Sequence, residues 1–495
     1  MMKTAFKNVS LLLVFAIAVS CTSELDKDPI GLLTLDQVDT EPTLVTLESA
    51  VEASYQPLRN TLNGIIPDWR WDLGTVFRND IVLQDIAAND MDKKWNPDGD
   101  QAWMDEIGNF VFTPENPAFN GIWTYDYEGI SRCNLAIGFL TDDALIEKTG
   151  LPQARRDQLL AEVYFLRAYY YFDLVNNFGD VPLILKSPES FQEAFEVSVR
   201  APMAEVIEKI GQDLDVAREL APQIKNDGSD PWRASLGAII ALQAKMALYN
   251  EDWSEVLTLV TALDNLGFYG LNGNYFDAFD ASLEFTDSEL IFAYDHRSAE
   301  IPANGNGIAA VSGWGFFAPT DDFLSAFEPN DPRLAYTIDV AAQHSPKLMG
   351  SVTEYKGNDD SPGNKVYIRY ADVLLWKAEA LNENGSPNEA VTLINEIRER
   401  ARTTPTADGS IVPAGTLPPR PNSNDQDQVR QWIQSERRVE LGFESQRFND
   451  LKRWGTAGSV LGDLGKSFED KHYLYPIPQA DRDRSGGSIT QNPHY

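Results

Sequence analysis

Residues 366–401 read VYIRYADVLLWKAEALNENGSPNEAVTLINEIRERA. Tyr370, Val373, Leu374, Ala378 and Leu381 recur at helical spacing, which places them on one face of a helix. That helix is expected to stop at Gly385, because glycine tolerates the left-handed backbone of a C-terminal cap. Ser386 then stands as the N-cap of a second helix, with Pro387 in its first turn and Glu389 three residues on. The spacing predicts a capping box, with proline where its missing N–H costs nothing. Small Ala380 and Ala390 flank the turn, so the two helices are expected to approach closely.

Two more stretches repeat this pattern. In residues 155–184, Leu159, Val163, Leu166, Tyr170 and Leu174 form one apolar stripe, Gly179 stands at the cap position and Pro182 bars continuation. Residues 233–265 form a further pair, broken at residues 250–252. The pairs look tetratricopeptide-like, but long insertions separate them and the ~34-residue period of such repeats is absent. The expected fold is all-α: tetratricopeptide-like helical pairs with long irregular loop insertions. Cys133 lies in a helix-like run and is read as a small buried hydrophobe.

Two insertions stand out, about residues 60–127 and 275–320. Residues 67–127 show little periodicity, yet carry Trp69, Trp71, Trp95, Trp103 and Trp123, five of the eleven tryptophans, in a polar stretch. The second contains SAEIPANGNGIAAVSGWGFFAPT, Gly-rich, with Trp314, Phe316 and Phe317. Loops this long in a folded protein usually carry function.

The N-terminus reads differently. Lys3 and Lys7 precede an apolar run at residues 11–19, too short for a span, which needs ~20 residues. Ala18 and Ser20 mark a cut site before Cys21, so residues 1–20 are expected to be a signal peptide and residues 21–495 a single domain. Cys21 directly after Ser20 resembles a bacterial lipobox, although Ala18 stands where leucine is usual. No later segment is a long uncharged apolar run, so attachment to a membrane is expected through lipid on Cys21. The net charge of −34 repels nucleic acid and anionic lipid, which excludes both as expected partners.

Reactive chemistry finds little support. His296, His344, His472 and His494 have no paired helical spacing for a metal, and no G-x-S-x-G elbow occurs. GNGIAA and GWGFFA match G-x-G-x-x-A, but neither is read as following a strand or opening a helix. Asp98, Asp100, Asp105 and Glu106 in NPDGDQAWMDE offer oxygens to calcium without the spacing of an EF-hand, and a solvated loop is the simpler reading. Acids and bases alternate from Glu436 to Arg453, which points to ion pairs between helices rather than to a catalytic carboxylate pair. No catalytic residue, metal or cofactor is therefore expected.

Residues 434–455, QSERRVELGFESQRFNDLKRWG, and 472–495, HYLYPIPQADRDRSGGSITQNPHY, carry a dispersed motif. Glu436, Arg437, Glu440, Leu441, Glu444, Arg447, Phe448, Asp450 and Leu451, then Pro476, Ile477, Pro478, Gln491, Asn492 and Pro493, resemble the closing signature of the SusD/RagB family, here placed at 424–495. AEVYFLRAYYYFDLVNNFGDVPL, PTDDFLSAFEPNDPR and CTSELDKDP agree with other parts of the same family. The resemblance implies an outer-membrane lipoprotein of Bacteroidota that faces the exterior. Such proteins act as a lid on a SusC-like TonB-dependent transporter and deliver oligosaccharide, or sometimes peptide, to it.

Members bind ligand through loops in the two regions singled out above, with residues that follow no motif. An aromatic ring accepts the C–H face of a sugar, and polar neighbours take its rim hydroxyls. The aromatic platform is accordingly expected from Trp69, Trp71, Trp95, Trp103, Trp314 and Phe316, with polar contacts from Arg70, Arg78, Asn89, Asp90 and Asn96. Trp376 and Trp432, at helical spacing, are read as core. Three rivals stay open: a peptide-capturing RagB-like lipoprotein, a glycosidase on a helical scaffold, and a helical adaptor that binds only proteins.

Overall fold

The computed structural model describes residues 42–59, 61–225, 231–283, 285–294, 307–353, 361 and 363–495. The expected signal peptide at residues 1–20, Cys21, His296 and the start of the Gly-rich stretch lie outside the described residues. The N-terminal half contains Leu44–Tyr55 (α1), Trp103–Asn109 (α2), Asn120–Thr141 (α3), Gln153–Phe178 (α4) and Met203–Leu220 (α5), and α1, α3 and α5 pack around α4. The predicted stripe of α4 is its core face: Leu159, Val163, Leu166, Tyr170 and Leu174 are all fully buried. Each such aliphatic side chain contributes about 1.5–3 kcal/mol of burial. Gly179 closes α4 with φ 73°. Where α3 crosses α4, a Cβ on Gly129 would stand 2.3 Å from the Tyr170 ring, so only glycine allows the approach. Cys133 is buried on α3, and burial pushes its thiol up to about 12.

The second half adds Leu236–Tyr249 (α6), Trp253–Asp264 (α7), Tyr370–Glu383 (α8), Pro387–Thr403 (α9), Gln426–Glu440 (α10) and Arg447–Arg453 (α11). The break between α6 and α7 falls where the sequence places it, with Asp252 accepting the Glu255 N–H. Ala378, Ala390, Val391 and Ile394 bring α8 and α9 together, and Val429 and Ile433 of α10 complete the layer. Gly385 takes φ 84° as expected. The capping box at Ser386 does not form. The Ser386 N–H donates to the Leu381 carbonyl to finish α8, so it is not free for Glu389, and the turn is too short to serve both helices with separate residues. Trp376 is fully buried and Trp432 partly so.

Strands are few: Met91–Lys94 (β1), Leu290–Tyr294 (β2), Phe316–Pro319 (β3) and Lys365–Arg369 (β4), together with a pair of two-residue strands, all paired antiparallel two by two. Two expectations need correction. Residues 67–127 are not all loop: Trp103 opens α2, and Trp123 is a buried core residue on α3. The last four residues of GNGIAA lie in a helix, Gly307–Gly313, but the described strands on either side belong to separate antiparallel pairs and make no parallel nucleotide-binding unit.

The alternating acids and bases at 436–453 do form ion pairs, many with distant residues. Arg369, where β4 runs into α8, contacts Glu289 at 2.5 Å, Glu440 at 2.7 Å and Glu444 at 2.8 Å. Arg333 reaches Glu436 at 2.6 Å and Glu440 at 3.0 Å, and Arg400 of α9 pairs with Glu289 at 3.0 Å and with Glu440. Burial alone would raise the Glu440 carboxyl, but Arg400, Arg369 and Arg333 together hold it well below the carboxylate range. On α11, Asp450 pairs with Arg437 and Arg453, whose other partners are Asp372 and Glu379.

Candidate functional site

The two insertions meet because β1 pairs with β3, more than two hundred residues away in sequence. Met91 faces Pro319, Asp92 faces Ala318 and Lys94 faces Phe316. One step beyond, the Trp95 N–H donates to the Gly315 carbonyl at 3.0 Å. Trp314 therefore sits just past the end of this ribbon, its N–H on the last carbonyls of the helix Gly307–Gly313.

Trp69 arrives from the other side on a tightly held loop. Its N–H donates to Asn63 Oδ1 at 3.0 Å, and its carbonyl accepts the Trp71 N–H at 2.9 Å. The turn Trp71–Leu73 ends at Gly74 with φ 66°, where a Cβ would lie 2.0 Å from the Pro117 carbonyl oxygen. Trp69 itself has φ 44°, a left-handed backbone that costs a bulky residue on the order of 1–2 kcal/mol.

The rings of Trp69 and Trp314 are 6.0 Å apart, inclined by 38°, and 49% and 37% exposed. Two residues further along each loop, Trp71 stacks on Phe316 at 6.2 Å and 16°. Trp71 also meets Phe77 edge-on, and Lys94 Nζ lies 4.5 Å from the centre of the Phe316 ring. An exposed aromatic pair is thus supported by a stacked pair at the ends of the same ribbon. Aromatic contacts of this kind contribute about 0.5–1.5 kcal/mol each, which fixes the outer rings before any ligand arrives.

The other expected residues divide. Trp103 is half-buried, its indole N–H donating to Gln101 Oε1 at 2.7 Å. Trp95 is half-buried against the core, with an indole nitrogen that has no acceptor among the described residues. Arg70 and Asn96 reach the surface, Arg70 in a two-bond pair with Asp72.

Four expectations are corrected. Phe316 is 3% exposed, a support under the platform rather than part of its face. Arg78 is buried between Asp126, at 2.6 Å, and Asp173. Asp90 is buried against Arg438 at 2.7 Å. Asn89 is buried, and its carbonyl accepts from the Thr320 hydroxyl at 2.7 Å, which ties β1 to the segment after β3. Arg78 and Asp90 point inward because their charge partners lie on distant helices, which nearness in sequence to the tryptophans does not reveal. Asn63, which holds the Trp69 N–H, and Lys94, which lies over Phe316, were missed because neither contact follows from a local period.

The acidic loop is already supplied with cations. Lys94 Nζ donates to Asp98 at 2.8 Å and Asp100 at 3.1 Å, and Lys93 Nζ to Asp105 at 2.6 Å. Among the described residues no group of three or more His, Cys, Asp or Glu is arranged to hold a metal.

Two family profiles match the chain, one described as SusD family over residues 344–495 and one as starch-binding associating with outer membrane over residues 62–248. SusD-like protein P2 of Formosa agariphila is 26% identical, over 98% of this chain and 99% of its own length. SusD-like protein P38 of the same organism is 27% identical, over 95% and 96%. Among solved structures, a laminarin binding SusD-like protein superposes with a TM-score of 0.71 at 24% identity, over 92% of this chain and 100% of that one. Surface glycan-binding protein A from Bacteroides thetaiotaomicron, in complex with laminarihexaose, gives 0.71 at 23%, over 91% and 99%. The C-terminal profile spans the ion-paired signature, the N-terminal one spans the Trp69 loop, and the relatives align along nearly the whole length. On these grounds the chain belongs to the SusD/RagB family.

Proposed function

We propose that the protein captures glycan outside the cell and passes it, chemically unaltered, to a SusC-like TonB-dependent transporter. The observation that carries this reading is Trp69: a half-exposed indole held in a strained left-handed backbone, beside an exposed Trp314 from the other insertion. Strain at a bulky exposed residue is tolerated where the side chain is needed. Two inclined rings suit the C–H faces of successive sugars, and Arg70 and Asn96 lie near in sequence to take hydroxyls. The signature's acids are engaged by arginines, which supports a binding role over hydrolysis. Residues 1–20 as a signal peptide and lipid on Cys21 would anchor the single domain at 21–495 to the outer membrane, facing the exterior; a Cys21→Ser variant should then no longer incorporate a labelled fatty acid.

Calorimetric titration of the purified chain with laminarihexaose, maltohexaose, other neutral oligosaccharides and a set of peptides tests the central claim. A glycan should release heat, and Trp69→Ala and Trp314→Ala should abolish most of it. Heat from peptides alone, or new reducing ends appearing in the glycan, would overturn the proposal.

A further inference from the structure

The ion-pair network does not reach Arg447. Arg78, Arg167, Arg233, Arg333, Arg369, Arg398, Arg400 and Arg437 are buried, and each pairs with at least one carboxylate. Arg447, largely buried at the start of α11, has no such partner among the described residues, and its Nε is shut off from solvent without an acceptor. Its guanidinium stands 5.9 Å from the centre of the Trp454 ring.

Beside it opens a cleft of about 410 Å³ lined by Gln431, Gln434, Ser435, Arg438, Arg447 and Trp454, among others. No carboxylate lines it, although the chain carries 75 acidic residues. Arg438 on the same wall is already committed to Asp90 and Asp322. Those two acids flank β1 and β3 at the end of the ribbon remote from Trp69 and Trp314.

A desolvated guanidinium without an anion is costly, and the cost is relieved by whatever anion enters. Burial lowers the pKa of Arg447; Asp90, Asp450 and Asp322 oppose that from beyond pairing distance, while Arg438 adds to it. An arginine nevertheless stays charged at neutral pH. The remaining polar groups at the cleft are two side-chain amides, of Gln431 and Gln434, and the hydroxyls of Ser435 and Thr456, which donate to the Gln431 and Leu451 carbonyls. The apolar wall of Trp454, Leu451 and Val460 would cover a small organic body.

We propose that this cleft binds the acid group of a ligand, a carboxylate or a sulfate ester as borne by uronic acids and sulfated sugars, with Arg447 as its principal contact. The site is separate from the aromatic platform, and its test does not depend on glycan binding there. Bidentate guanidinium–oxyanion pairing supplies both affinity and orientation.

The experiment follows thermal unfolding of the full chain in low millimolar sodium sulfate, sodium glucuronate or glucose, against sodium chloride of equal ionic strength. Low concentration avoids the general stabilisation by excluded sulfate. A saturable rise in melting temperature is expected with an anion and none with glucose. Sulfate alone, glucuronate alone or both would each support the site and tell its source apart. Arg447→Gln should weaken the apparent anion affinity by about tenfold or more, the loss of a charge-assisted pair.

Ser435 is exposed, so Ser435→Asp serves as a second variant if Arg447→Gln does not fold. Its carboxylate at the cleft should raise the melting temperature without added anion and remove the response to sulfate and glucuronate. An adventitious response, equal in both variants and the parent or no larger than with chloride or glucose, overturns the proposal. Retained oligosaccharide binding at the tryptophans in that case would leave the platform reading intact.

Discussion

Truncating Trp69 tests the link between backbone strain, exposed ring and ligand capture. About half of Trp69 and a little over a third of Trp314 are open to solvent, so a ligand can cover only part of each ring. A full stack on an aromatic platform contributes ~1–3 kcal/mol by analogy with nucleic-acid bases. The lower part of that range, ~1–2 kcal/mol, corresponds to about 5- to 30-fold weaker binding for either alanine variant. The rings are only 6.0 Å apart and share one ligand, so the double variant should lose less than the product of the single losses.

Backbone and ring can be separated at the same position. Alanine keeps the left-handed strain of φ 44°, whereas glycine removes about 1–2 kcal/mol of it and gives back ~0.5–1 kcal/mol in chain entropy. Trp69→Gly should therefore be at least as stable as Trp69→Ala in urea unfolding, while both lose affinity alike in calorimetry. Binding within twofold of the parent in either folded variant would refute the reasoning. So would a loss of affinity that tracks a loss of folding.

Other expectations follow from the packing and the charges. Glu440→Gln removes a carboxylate shared by Arg369, Arg400 and Arg333, and should cost ~3–5 kcal/mol of stability, read by calorimetric melting. Gly74→Ala places a methyl group against the Pro117 carbonyl at a positive φ, and should cost about 2 kcal/mol or more in urea unfolding while weakening glycan binding through the displaced Trp69 loop.

Acid should destabilise the protein in two stages. Burial holds His472 down at about 4, so the unfolded chain, with an ordinary value of ~6.5, binds the proton more readily. Stability then falls as pH drops below ~6.5, and His472→Asn should remove this upper stage in melting curves recorded against pH. Glu440, Glu444 and Asp450 are held low despite their burial because arginines, and for Glu444 also Lys347, surround them. Their contribution is complete above the ordinary carboxylate value of ~4.3 and is lost below it, a stage that Glu440→Gln should shrink.

The helices were legible in the sequence because their apolar positions repeat with the helical period, and burial acts on that period whatever lies beyond. The stripe of α4, the close pair α8 and α9 and the break between α6 and α7 are all local consequences of spacing, glycine and proline. The alternating charges of 436–453 also declared themselves as ion pairs, because so many acids and bases cannot be buried unpaired. Their partners Arg333, Arg369 and Arg400 could not be named, since those lie on other elements. Which aromatic faces water was a tertiary decision. Trp69 is exposed and Trp71, two residues on, is stacked; Trp314 is exposed and Phe316 is buried. The register of β1 against β3 sets that choice, and pairing between segments this far apart leaves no local periodicity to read. Likewise Arg78 and Asp90 look like surface groups among loop tryptophans, and only the approach of Asp126, Asp173 and Arg438 makes their burial affordable in free energy.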